Sequence, residues 1–346
     1  MSKLVDYLAD LTGFRDRDLL DVTLVAAMKD LLSPEVASIY RLVGDPDDKH
    51  WITRAQLTAE ASTATCHPIW VNITTLPKAA DYPHRLSCME THETIDIDGP
   101  PCITVFPLIN DCEVVGVMEI VTTTPLVPDA KRLVASFLRV YRNFQSLLDY
   151  SERDTLTGLL NRKTFDEAFL KASAEQQLVH NEISKGEDRR YGGGGPVSTW
   201  LAVIDIDHFK NVNDTYGHLI GDEVLLLLSR LMKASFRFHD QLYRFGGEEF
   251  VVLMRCKSEN DAAAAFERLR SNTENFAFPQ VGCITVSIGF TALRVGDTPS
   301  RAFERADKAV YYVKEHGRNG VRSYTQLISI GKIIEEGDKT GDVELF

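Results

Sequence analysis

The chain has 346 residues, 44% of them apolar and 25% charged, a globular composition that excludes a largely disordered or collagen-like chain. At ~100–200 residues per domain that length suggests about two domains. Lys and Arg total 38 against 50 Asp and Glu, and a formal charge of −12 without a basic tract argues against a nucleic-acid binder or a protein held on an anionic membrane.

An acidic chain that handled a phosphorylated ligand would need metal ions or locally placed Lys and Arg. No run of ~18 apolar residues predicts a membrane span. Residues 1–10 lack the apolar stretch of a signal peptide, so a cytoplasmic location is expected. Cys66, Cys88, Cys102 and Cys112 lie near His67, His84 and His92 but form no C-x-x-C pair and read as free thiols.

In chain order, the spacing of Leu20, Leu24, Met28 and Leu31 predicts an amphipathic helix over 19–32, followed by Pro34. Strand-like runs follow at 37–43, 52–58, 103–106 and 114–122, and 105–109 with 113–120 reads as an antiparallel hairpin. An α+β sensor-like domain is expected over residues 1–125. Pro128 opens a long helix in which Phe137, Tyr141, Phe144 and Leu148 step by four, three and four, widened by Leu133, Val134, Val140 and Leu147. The pattern fits an amphipathic helix packed on its own domain, or a coiled-coil stalk, over 126–152. Residues 185–196 are charged, then Gly-rich, and read as a flexible loop; no G-K-[ST] follows to make a phosphate cradle. Strands at 200–206, 241–245, 249–255 and 283–291 alternate with helices at 218–236, 259–275 and 300–316, a mixed sheet covered by helices. The second domain spans 153–328, and 329–346 is an acidic tail.

The apolar run Leu201 to Ile204 predicts a buried central strand that ends in Asp205-Ile206-Asp207. Asp205 and Asp207 share one face of it. Carboxylates at the end of a buried strand are costly unless they bind a cation. About forty residues on, Arg244-Phe245-Gly246-Gly247-Glu248-Glu249-Phe250 reads as strand, tight turn, strand. Its two acids could complete a cation site with Asp205, or could simply face solvent at the turn.

These residues resemble the GGDEF family, the diguanylate cyclases, over roughly residues 150–326. The resemblance runs in order through 154–162 (Asp-Thr-Leu-Thr-Gly-Leu-Leu-Asn-Arg), 205–218 (Asp-Ile-Asp-His-Phe-Lys-Asn-Val-Asn-Asp-Thr-Tyr-Gly-His), 221–225 (Gly-Asp-Glu-Val-Leu), 244–250, 286–289 (Val-Ser-Ile-Gly) and 306–320. It implies a nucleotidyl-cyclase-like, palm-type α+β fold that condenses two GTP into cyclic di-GMP and two pyrophosphates across a dimer. Asp205, the Ile206 carbonyl, Glu248 and Glu249 would hold two Mg2+ (or Mn2+) per active site, with Glu248 and Glu249 catalytic. Asn213 and Asp222 would read guanine; a carboxylate facing its N–H donors disfavours adenine. Phe209 and Lys210 amides, Lys314 and Arg318 would hold GTP phosphates, and Gly246 and Gly247 would let the backbone approach the GTP closely. Asp207 and Asp214 would be structural, as helix caps or supports of the site. Arg237 and Asp240, spaced as the family's RxxD motif, would with Arg244 bind cyclic di-GMP as inhibitor.

A dimeric reaction tips the linker helix toward the coiled coil, with a homodimer formed through it and the N-terminal domain. That domain more loosely resembles a GAF sensor, an antiparallel sheet with helices. The alternative to an active cyclase is a catalytically silent receptor that binds GTP or cyclic di-GMP.

Overall fold

The computed structural model describes residues 2–13, 16–45, 47–67, 71, 73–110, 114–184 and 197–334. The loop at 185–196, Cys112 and the end of the acidic tail therefore lie outside the described residues. The chain forms two compact units, Met1–Ser151 and Glu152–Phe346.

In the first unit, α1 (Ser2–Gly13) and α2 (Arg17–Leu32) precede β1 (Val36–Asp45) and β2 (Asp48–Thr58). Asp16 caps α2 by accepting from the Asp18 and Leu19 amides, and Ser33 ends it in a left-handed conformation. Then come α3 (Pro83–Thr91), β3 (Ile95–Ile97), β4 (Cys102–Ile109), β5 (Val114–Thr122) and α4 (Pro128–Glu152). The five strands form an antiparallel sheet in the order β2-β1-β5-β4-β3, including the expected β4–β5 hairpin. Strand alternation sorts its side chains. Ala37, Ile39, Phe106, Leu108, Met118 and Ile120 pack against Leu20, Leu24 and Met28 of α2 and against α4. Tyr40, Trp51, Val105 and Val117 form a second core with Cys88 of α3.

The α4 seam departs from the coiled-coil expectation. Phe137, Tyr141 and Leu148 are 2%, 3% and 5% exposed and belong to the core of the first unit, with Phe144 packed against it. An apolar stripe buries on the nearest apolar face, and here the sheet of its own unit supplies one. A buried polar network fixes the helix further. The Tyr141 hydroxyl donates to Asp21 of α2 and accepts from Arg41 at 2.8 Å and Gln145 at 2.9 Å.

The second unit contains β6 (Leu160–Asn161), α5 (Arg162–Ser184), β7 (Ser198–Ile206), α6 (Phe209–Tyr216), α7 (His218–Ser235), β8 (Gln241–Gly246) and β9 (Glu249–Cys256). It continues with α8 (Glu259–Asn275), β10 (Val286–Ala292), α9 (Pro299–Glu315), β11 (Gly320–Ser323) and α10 (Tyr324–Ser329). The sheet order is β11-β10-β7-β9-β8-β6, with β10, β7, β9 and β8 antiparallel and the edge strands β11 and β6 parallel to their neighbours. β7 is buried on both faces, as its apolar run predicts. Ala202, Ile204 and Ile206 pack with α7 and α8, whereas Leu201 and Val203 pack with α5 and α9. Among the described residues no helix is long and apolar enough to cross a membrane. Cys66, Cys88, Cys102, Cys256 and Cys283 are free thiols.

Candidate active site

The end of β7 and the β8–β9 hairpin bring the expected carboxylates together. Asp205, 6% exposed, pairs in register with Glu249 on β9 and Ser287 on β10. Lys314, at the end of α9, places its Nζ 2.8 Å from Asp205 Oδ1. Burial pushes the Asp205 carboxyl above its ordinary range, and the Lys314 ammonium opposes that shift. Glu248 and Glu249 are raised as well, first by burial and then by the Asp205 charge. Asp307 on α9 adds a fourth carboxylate, itself raised by burial and acting on Asp205 and Glu249. Asp307 lies within the 306–320 motif, which by itself assigns it no role. Its signal is the seven-residue interval to Lys314, two helical turns on one face of α9.

An oxygen-only donor set of this kind suits a hard divalent cation. Among the described residues, however, no three His, Cys, Asp or Glu side chains converge into a metal-holding group. The charge next to Asp205 is the Lys314 ammonium. The set Asp205, Ile206, Glu248 and Glu249 is thus gathered at one end of the sheet without closing into a coordination shell. The Ile206 side chain is hydrocarbon, so only its main-chain carbonyl could serve as a ligand.

Asp207 caps no helix. It accepts from Thr285 Oγ1 at 2.7 Å, Ser287 Oγ at 2.6 Å and the Asn319 amide at 2.9 Å, which ties the segment after α9 to β7 and β10. That segment carries Arg318, exposed and left-handed at φ 62°. Lys314 and Arg318 therefore differ: the first is paired with Asp205, and the second projects from an anchored loop.

Phe209 and Lys210 open α6, after His208 at φ 58° with no side-chain cap. Amides in a first helical turn have no intrahelical partner and suit an anion. The main-chain N–H of Gly217 donates to the Asn213 carbonyl where α6 meets α7. Gly221, in the first turns of α7, makes room for Asn213: a Cβ there would lie 2.0 Å from Asn213 Oδ1. Asp222 follows directly and is exposed, so both expected guanine readers sit at the α6–α7 junction.

Gly246 and Gly247 turn the hairpin at φ 152° and 49°, conformations that side chains disfavour. Arg244 braces this turn, donating from Nη2 to the Gly247 carbonyl at 2.9 Å and from Nη1 to Asp154 Oδ1 at 3.1 Å. Its guanidinium thus bonds to Asp154 and the turn. Asp240 Oδ2 instead accepts from the Arg237 amide at 2.9 Å, and the Arg237 side chain is exposed. Burial pushes Asp240 up to about 6, against the positive charges of Arg237 and Arg268. Burial, Arg237 and Arg255 push the neighbouring His239 down to about 4. Arg255 and Arg268, on β9 and α8, thus join Arg237 in a basic cluster that no local motif announces.

Similarity to known proteins falls on the part of the chain that carries this site. Residues 194–320 match the family model described as "Diguanylate cyclase, GGDEF domain". The diguanylate cyclase DgcP of Pseudomonas aeruginosa is 40% identical over 169 residues, 48% of this chain and 23% of that protein. The diguanylate cyclase DgcZ of Escherichia coli is 36% identical over 178 residues, 49% of this chain and 52% of that protein. The chain thus spans 23% and 52% of the length of these two curated relatives. The solved GGDEF domain of DgcB from Caulobacter crescentus, in complex with c-di-GMP, is 32% identical with a TM-score of 0.43, covering 50% of this chain and 96% of that one.

Proposed function

We propose that this chain is a diguanylate cyclase that joins two GTP molecules into cyclic di-GMP with release of two pyrophosphates. The observation that carries the reading is the carboxylate cluster of Asp205, Glu248 and Glu249 at the β7 end and the Gly246–Gly247 turn, inside the segment that matches the family model. Asp205, the Ile206 carbonyl, Glu248 and Glu249 would hold two Mg2+ or Mn2+ ions. Those ions would offset triphosphate charge and polarise the α-phosphate. The first-turn amides of α6, the open hairpin backbone, Lys314 and Arg318 would orient the phosphates. Asn213 and Asp222 would fix the guanine edge. Glu249 lies across the ladder from Asp205, where a carboxylate can also accept the proton of the attacking 3′-hydroxyl. Most of the catalysis would be positioning and charge stabilisation.

The second unit of each chain would hold one GTP, so turnover needs a homodimer. With Phe137 and Tyr141 committed to the first unit, that contact would use the outward side of α4, where Leu147 and Tyr150 are 63% and 78% exposed. The antiparallel sheet of the first unit supports a GAF-like sensor role. Arg237 and Asp240, with Arg255 and Arg268 nearby, would take cyclic di-GMP as inhibitor.

The test is incubation with GTP and Mg2+ at concentrations that permit dimers, with mass identification of products. Cyclic di-GMP is expected, and its absence sinks the proposal. Glu248→Gln is expected to remove turnover by at least a thousandfold, since metal ligation contributes several kcal/mol to the transition state.

A further inference from the structure

The sheet face of the first unit that packs against α3 holds a buried arginine in an aromatic cage. Arg85 of α3 is 4% exposed. Its Nε and Nη2 donate to the two oxygens of Glu119 on β5 at 2.7 and 2.8 Å, and Glu119 is 6% exposed. Its Cζ lies 3.6 Å from the ring centre of Tyr40 on β1 and 4.0 Å from that of Tyr82, with Trp51 of β2 at 5.8 Å. Register brings these residues together. Ser38 stands opposite Glu119, so Tyr40, two residues on, shares its face, and Leu42 beside Tyr40 pairs with Trp51.

As a way to stabilise a core this is poor design, because a buried ion pair seldom improves on apolar side chains of similar volume. As a receptor for a planar cation it is complete. Flat aromatic faces attract a guanidinium, and a carboxylate accepts its two parallel N–H bonds. A tetrahedral ammonium would match neither the paired oxygens nor the stacking. The Trp51 indole N–H in the wall is buried and has no hydrogen-bond partner among the described residues, which leaves a donor for an acceptor atom on an incoming molecule. Tyr40, Trp51 and Glu119 stand on strands, whereas Arg85 rides on a nine-residue helix begun by Pro83 and ended at a left-handed His92.

The geometry points to a binding site for a guanidinium-bearing small molecule, formed by Tyr40, Trp51, Tyr82 and Glu119, in which Arg85 is the resident guest and from which a ligand displaces it. A tethered guest competes at an effective concentration in the ~millimolar range or above, so the ligand must gain from contacts beyond its guanidinium.

The experiment titrates the full chain, Arg85→Lys and Arg85→Ala with n-propylguanidine by calorimetry, with n-propylamine as control. Lysine keeps a charge beside Glu119 but loses the planar fork; alanine empties the cage. Both variants are expected to bind n-propylguanidine one to one, at least tenfold more tightly than wild type and at least tenfold more tightly than they bind n-propylamine. Should Arg85→Ala fail to fold with Glu119 left only His84, 3.2 Å from its Oε2, Arg85→Lys decides. The proposal is overturned if Arg85→Lys binds n-propylguanidine no more tightly than wild type, or binds n-propylamine equally well. In wild type loaded to saturation, amide exchange across residues 83–91 is expected to rise, and unchanged exchange overturns displacement of Arg85.

Discussion

A missing side chain at one position shapes the candidate base-binding corner. A Cβ on Gly221 would sit 2.0 Å from Asn213 Oδ1, so alanine there forces the carboxamide to move. The backbone of Gly221 is ordinary helix within α7, where alanine is favoured over glycine by ~1 kcal/mol. Gly221→Ala is therefore expected to keep or raise the melting temperature while raising KM for GTP at least tenfold. An unchanged KM would remove Asn213 from substrate recognition. Asp240 offers a test at a second residue. Burial lifts it from 3.8 to about 6, so folding favours its protonated form. That contribution is full below pH 3.8 and is lost as pH rises through about 6. At ~1.4 kcal/mol per pH unit, wild type should lose roughly 2–3 kcal/mol relative to Asp240→Asn between about pH 4 and about pH 8. Urea unfolding at the two pH values measures the difference, and a flat difference would mean that the carboxyl is well solvated.

At the scale of elements, α4 separates two meanings of one apolar stripe. If Phe137 belongs to its own unit, Phe137→Ala should cost about 3–5 kcal/mol at every protein concentration. A coiled-coil seam would instead give a loss that shrinks as dilution dissociates the dimer. Melting curves over a hundredfold concentration range distinguish them. This ambiguity also marks what the sequence could tell. β7 was legible because only a strand buried on both faces carries an unbroken apolar run before two acids. That α4 is a helix was legible too. What covers its stripe was not, because periods of 3.5 and 3.6 drift apart by only ~20° per heptad. α6 escaped notice because only Phe209 and Val212 bury in it, too few to show a helical period. Arg244 shows how spacing along the chain differs from position in the fold. It lies four residues beyond Asp240, and a strand rising ~3.3 Å per residue carries it ~13 Å away, toward Asp154 and the hairpin. Arg255 and Arg268 reach the Asp240 cluster from distant elements, which single-chain spacing does not reveal.

At the scale of the molecule, the net charge of −12 has a local counterpart at the end of β7, where four acids face one lysine. Asp205, Glu248, Glu249 and Asp307 all hold protons more tightly than ordinary carboxyls, chiefly through burial, and each of the four is also raised by neighbouring acids. Lys314 opposes the shift at each of the four, and its ammonium is a single positive charge. A triphosphate added to this corner would meet a net negative field that one lysine and the exposed Arg318 do not neutralise. Divalent cations would change the sign of the encounter by bridging carboxylate and phosphate oxygens. GTP is therefore expected to bind at least tenfold more weakly with a chelator present than with Mg2+, as read by equilibrium binding of a fluorescent GTP analogue. The penalty should shrink in Glu248→Gln, which has less negative charge to offset and one ligand fewer to offer. Equal affinity with and without the chelator would mean that Lys314 and Arg318 suffice, and that the carboxylates hold no metal when the nucleotide binds.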